Sequence, residues 1–135
     1  MTVTEIYQQI KEFIIQTIPE EDQNLWKKAE LNVEIQPNMT SMNGIYYLVD
    51  LNNPLEIRDK RKNRSFMDIL RAFHNITTQS GLNKWNKAQF SLFPQTELET
   101  KLLWDQEWQN AQDDAVKKVQ EEDPSYIGPK WHWEE

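Results

Sequence analysis

The chain has 135 residues, with 22 acidic side chains against 15 basic ones and a formal net charge of −7. This length is typical of one domain with one hydrophobic core, and the negative field disfavours direct binding to nucleic acid. Because there is no cysteine, a disulfide framework and a thiol nucleophile are excluded. No signal peptide or membrane span is recognisable, so we expect a cytoplasmic protein that makes no membrane contact.

The first predicted element is an amphipathic helix near the N-terminus. Its apolar residues recur at spacings of three and four, which places them on one face of a helix. Thr2 or Thr4 is a suitable N-cap, and Pro19 ends the helix. The apolar stripe consists of Ile6, Ile10, Phe13, Ile14 and Ile18.

A hairpin is predicted next. Residues 28–35 alternate polar and apolar side chains, as a strand with one buried face does. A turn carrying Asn43-Gly44 then leads into a second strand at residues 45–51, which are aromatic and branched. Residues 55–58 are consistent with a short further strand. The basic run at residues 59–64 is interpreted as a solvated loop.

A second helix and a second hairpin follow. Ser65 and Asp68 resemble a capping pair at the start of this helix, and Gly81 can close it. Residues 88–92 and 98–104 alternate as strands on either side of a short interruption. The apolar face of the helix consists of Phe66, Ile69, Leu70, Phe73 and Ile76.

A third helix and an aromatic arm complete the chain. The helix is predicted from the spacing of Trp108, Ala111, Ala115 and Val119, and Asp123-Pro124 ends it. These elements predict an α+β fold in which an antiparallel sheet of four to five strands, in two hairpins, packs with three helices. The order is α-ββ(β)-α-ββ-α in a single domain over residues 1–135, with residues 124–135 as a C-terminal arm.

The residue types needed for catalysis are scarce. His74 and His132 stand alone, so neither suggests a metal site, and three glycines are too few for a phosphate loop. The acidic groups Glu20-Glu21, Asp113-Asp114 and Glu121-Glu122-Asp123 fall at helix ends or on a predicted solvated helix face, so the burial that acid–base catalysis by a carboxylate pair needs is not expected. We therefore expect no enzyme, no cofactor and no metal, and a carboxylate-based enzyme is the less favoured alternative.

The tryptophans are the notable excess. Trp26, Trp85, Trp104 and Trp108 lie in or beside predicted elements and are interpreted as core or rim residues. Trp131 and Trp133 lie in the arm after a Gly-Pro break. They either strap the arm across the domain or anchor a partner, and both alternatives remain open.

Two stretches carry a resemblance to a known family. The segments TEIYQQIKEFIIQTIPEEDQNLWKKAELNVEI and WNKAQFSLFPQTELETKLLWD resemble the YezG-like immunity proteins of bacteria. The likeness extends over residues 3–51 and 66–110 and rests on a pattern of residue types. Where that family usually carries Asp-Gly in the second hairpin, this chain has residues 94–97, PQTE.

The resemblance implies a cytoplasmic antitoxin of a contact-dependent or secreted toxin system, and such toxins are often nucleases. We expect a monomer that forms a one-to-one complex with its cognate toxin domain and occludes the toxin's active site. Acidic residues would steer the encounter and aromatic residues would anchor it. A small non-catalytic adaptor is the alternative. The candidate contacts are Glu97, Glu99, Asp113, Asp114, Glu121, Glu122, Tyr126, Trp131 and Trp133.

Overall fold

A computed structural model describes residues 1–57 and 64–134. The basic run predicted at residues 59–64 lies outside this part of the chain except for Arg64, and so does Arg58 of the third predicted strand. The helices are α1 (Val3–Thr17), α2 (Arg64–Thr77) and α3 (Gln106–Glu122), and the strands are β1 (Trp26–Gln36), β2 (Met39–Leu48), β3 (Leu55–Glu56), β4 (Lys87–Leu92) and β5 (Glu99–Leu103). Short 3-10 turns occupy Glu20–Asp22, Gln79–Gly81 and His132–Glu134.

The strands form one antiparallel sheet in the order β3-β2-β1-β4-β5. The alternation in β1 divides the sheet into two faces. Leu31 and Ile35 are buried beneath α1 and α2, whereas Asn32 and Glu34 point to the opposite face and are half-buried. The predicted α+β fold, with its two hairpins and three helices, is confirmed.

The core lies between the two helices and the covered face of the sheet. α1 buries Ile6, Ile10 and Ile14 completely, as its periodicity predicts. The hydroxyl oxygen of Thr2 accepts a hydrogen bond from the Glu5 amide at 3.1 Å and so caps this helix. The ring of Phe13 stacks on Phe66 of α2 with centroids 3.7 Å apart, which ties the two helices together. Further core residues are Leu31, Ile35, Leu70, Phe73, Trp85 and Phe90.

Two local predictions are wrong. Asn43-Gly44 is not a turn but lies inside β2, because the chain already reverses at Pro37-Asn38. Gly44 stands opposite Leu31, and a Cβ at Gly44 would lie 2.8 Å from Cδ1 of Ile57. The glycine therefore makes room for a neighbouring side chain. Ser65 lies inside α2, which already includes Arg64, so it is not the N-cap of that helix.

α3 stands apart from this packed body. Of its seventeen residues, Gln109 is the one that is buried.

None of the helices in the described residues is long and apolar enough to cross a membrane.

Candidate protein-binding surface

α3 is fixed at its N-terminus by a cap on the end of the sheet. One carboxylate oxygen of Asp105 accepts a hydrogen bond from the Trp108 amide at 3.0 Å, and the other accepts from Lys87 Nζ at 2.8 Å. The hydrogen bond from Lys87, together with the helix amides, lowers the pKa of Asp105. The side chain of Asn86 bonds both the amide (2.7 Å) and the carbonyl (3.1 Å) of Asp105. The helix therefore leaves the sheet in a defined direction.

The face of α3 that turns toward the body is polar. The Gln109 side chain is 5% exposed, accepts from Asn86 at 3.3 Å and donates to Asp113 at 3.0 Å. Further along the same face, Val116 packs against Gly128 of the arm. Amide hydrogen bonds, rather than apolar burial, thus hold this helix at its buried position.

The apolar stripe of α3 faces solvent. An amphipathic helix normally buries its apolar stripe, yet Ala111 and Ala115 are exposed and Val119 is 45% exposed. Trp108 begins the stripe, is half-buried, and lies under Lys87, whose Nζ is 5.1 Å from the ring centroid. Compared with an ordinary amphipathic helix, α3 therefore turns its polar face toward the body and its apolar face toward solvent. Exposed apolar patches are among the features that mark protein-binding surfaces.

The negative charge of the molecule is concentrated around this stripe. Residues 105–123 hold seven carboxylates and two lysines, which amounts to five of the seven formal negative charges. The predicted contacts on α3 are all exposed: Asp113, Asp114, Glu121 and Glu122. Tyr126, just beyond the helix, is also exposed. The predicted acidic contacts on α3 thus share one solvent-facing helix.

The other predicted acidic contacts are elsewhere. Glu97 and Glu99 are exposed at the start of β5, whereas α3 begins beyond the end of that strand. The structure therefore places the predicted acids in two groups that are separated by the length of β5.

The uncovered face of the sheet is a surface that sequence reasoning missed. A concave cavity of about 940 Å³ runs across it, between Asn32, Glu34, Lys87 and Lys101. Lys87, which lines this cavity, contacts Glu34 at 3.7 Å and also lies over Trp108, the first residue of the stripe on α3. The polar positions of β1 and β4 alternate in the sequence, but which strands are neighbours is visible only in the fold.

The C-terminal arm is packed onto the body. Trp131 is 5% exposed, and its ring stacks on the rings of Trp133 (4.8 Å between centroids) and His74 (5.2 Å), which also contact each other (5.6 Å). The His132 ring nitrogen lies 2.8 Å from the Thr78 hydroxyl. Of the two alternatives, Trp131 therefore straps the arm across the domain. Trp133 is half-buried in the same cluster, so neither indole stands free as an anchor.

His74 lies at the centre of this cluster and is fully buried. Its Nε2 lies 2.9 Å from the Trp85 carbonyl, which fixes the proton on that nitrogen because the carbonyl can only accept. Its Nδ1 is buried and has no hydrogen-bond partner. Burial lowers the pKa of His74 to about 4. A neutral imidazole of this kind packs the core.

Metal-binding side chains do not cluster within residues 1–57 and 64–134: no group of three histidines or carboxylates there could hold an ion. No family model matches the chain, and no curated protein matches it.

Proposed function

We propose that this chain is an immunity protein that binds a cognate bacterial toxin domain and neutralises it by stoichiometric occlusion. The observation that carries the proposal is the orientation of α3. Its polar face turns toward the body, and its apolar stripe faces solvent between exposed carboxylates. The resemblance of residues 3–51 and 66–110 to the YezG-like immunity proteins adds the biological setting, a cytoplasmic antitoxin.

Charge supplies the first step of the proposed binding. Five of the seven net negative charges lie on residues 105–123, so the field is strongest in front of α3. A toxin that cleaves nucleic acid needs a basic cleft, and opposite charges raise the rate of encounter by about 10- to 1000-fold at low salt. α3 would therefore make the first contact with the basic cleft in which the toxin binds its nucleic-acid substrate.

Apolar contact supplies the second step. Val119 and the neighbouring alanines are exposed along the stripe, and Leu103 at the near end of the uncovered sheet face is 57% exposed. Removing these groups from water slows dissociation, which is where most affinity is gained. The stripe and the adjoining sheet face offer a continuous surface for an interface of about 1,200–2,000 Å².

The test is a binding experiment with the toxin domain encoded immediately upstream of this chain. We expect a one-to-one complex by titration calorimetry. Val119→Arg places a charged, bulky side chain on the stripe and should weaken the complex at least about tenfold without unfolding the chain, because position 119 is exposed.

The matched control is Gln16→Arg, which makes the same charge change at an exposed site on α1. Equal affinity for both variants would rule out α3 as the contact. The absence of any complex at micromolar concentration would refute the proposed neutralisation and favour an adaptor with a different partner.

A further inference from the structure

β5 forms one edge of the sheet and pairs with β4 on its other side. Its five residues are largely open to solvent, including Leu102 (41% exposed) and Leu103 (57% exposed). The strand at the other edge, β3, has only two residues. Edge strands that are long and exposed can pair with a further strand, so most proteins shorten or cover them.

The direction of the backbone groups on β5 follows from its pairing. The carbonyl of Leu103 accepts a hydrogen bond from the Asn86 amide at 3.0 Å, so Leu103 faces β4. Backbone groups alternate in direction along an antiparallel strand. Thr100 and Leu102 therefore direct their N–H and C=O groups away from the sheet. These two residues present two donors and two acceptors to a second strand.

The side chains along this edge alternate in charge. Glu99 and Lys101 are exposed on the uncovered face of the sheet, two residues apart. Within residues 1–57 and 64–134, neither side chain forms an ion pair. On the other face, Leu98 packs partly on the core and Leu102 is exposed. From residue 98 to residue 102 the edge thus carries one acid, one base and two leucines at fixed spacing.

We propose that two copies of the chain pair through β5, antiparallel and centred on Thr100, to form one continuous sheet of ten strands. In this register Glu99 stands opposite Lys101 of the second copy, and the two-fold axis repeats the pair. Leu98 likewise stands opposite Leu102 of the second copy, twice. Glu99 and Lys101 occupy positions without mutual backbone hydrogen bonds, where facing side chains approach most closely.

The competing registers are disfavoured by charge. Outward backbone groups can also pair if the axis falls at Glu99, Lys101 or Leu102. An axis at Glu99 would place the two copies of that glutamate directly opposite each other. An axis at Lys101 would place the two copies of that lysine directly opposite each other, and an axis at Leu102 would place Glu99 opposite Asp105. Like charges directly opposite are destabilising. The register centred on Thr100 is the one in which both charges meet an opposite charge.

Sedimentation equilibrium over a wide concentration range tests the proposal on the full chain. We expect a reversible dimer at twice the mass of the chain, which differs from the monomer expected from the sequence. Lys101→Glu should raise the dimer dissociation constant about tenfold or more, because two attractive pairs become repulsive. The double variant Glu99→Lys with Lys101→Glu exchanges the charges and should restore the dimer.

The control is Lys27→Glu, an identical charge change at an exposed position on β1, two strands from the edge. It should leave the dissociation constant unchanged. The proposal is overturned if the chain stays monomeric at millimolar concentration. It is also overturned if the dimer forms but the double charge exchange does not restore the dimer affinity that Lys101→Glu removes. Circular dichroism shows whether each variant is folded.

Discussion

The imidazole of His74 is enclosed by the rings of Trp85 and Trp131, and this burial has a consequence for stability. Burial lowers its pKa to about 4 in the folded chain, against 6.5 when the group is solvated, and the neighbouring Arg71 and His132 act in the same direction. Below pH 6.5 the unfolded chain therefore takes up a proton that the folded chain refuses. The stability present above pH 6.5 is lost as the pH falls toward 4.

The expected loss from this histidine is about 2 kcal/mol between pH 6.5 and pH 5. His74→Gln keeps an amide donor for the Trp85 carbonyl but does not titrate, so it should remove most of that slope. Urea unfolding of both proteins at pH 7, 6 and 5 measures the effect. Equal slopes in the two proteins would mean that the protonation of His74 does not govern acid sensitivity in this range.

At the scale of the element, the position of the C-terminal arm depends on its contact with α3. A Cβ at Gly128 would lie 2.7 Å from Cγ1 of Val116, closer than packed carbon atoms allow. Beyond this contact the chain continues into Trp131, which is stacked on the body. The small residue at 128 therefore lets the arm pass close under the helix on its way to the core.

Gly128→Ala should push the arm away from α3, at a cost of about 1–3 kcal/mol, which is typical of overpacking. The free energy of unfolding and the acrylamide quenching of tryptophan fluorescence report the change. Val116→Ala in the same chain creates room for the new methyl group and should recover part of the loss. If the double variant is no more stable than Gly128→Ala alone, the clash with Val116 is not the cause.

At the scale of the whole molecule, the proposed steering depends on where the charge lies as well as on its sum. Two sets of four exposed carboxylates can be neutralised to compare the positions at equal net charge. One set, on α3, is Asp113, Asp114, Glu121 and Glu122, and the other is Glu5, Glu12, Glu20 and Glu21.

Amide substitutions in the α3 set should slow association with the toxin domain about tenfold at low salt and flatten its salt dependence. The dissociation rate should change less. The second set, on and just after α1, should have a smaller effect on both rates. Stopped-flow association in 20 mM and 200 mM salt distinguishes them, and equal effects of the two sets would show that only the total charge matters.

The elements of the fold were predictable wherever one local pattern dominated. The isoleucines of α1 and the alternation in β1 each require one secondary structure to bury one face, so their prediction was confirmed. The turn predicted at Asn43-Gly44 was wrong because the glycine is needed for a close contact with Ile57, which lies just after β3. Predictions failed where a residue is required by its contact with another residue that is distant in the sequence.

The same distinction applies to the candidate site. The exposure of the acids on α3 was predictable, because carboxylates are almost never buried unpaired. The burial of Trp131 was left open, since a sequence does not show whether an arm meets a cleft or solvent. The β5 edge was missed, because strand order is set by packing between distant segments.

The sequence by itself determined the helices, the strands and the negative charge, because periodicity and composition act over neighbouring residues. Only the tertiary structure decided which face of α3 points outward. On the side of α3 that faces the body, Gln109 and Asp105 form hydrogen bonds with Asn86. These polar contacts, made by residues far apart in the chain, orient the helix and leave its apolar side free.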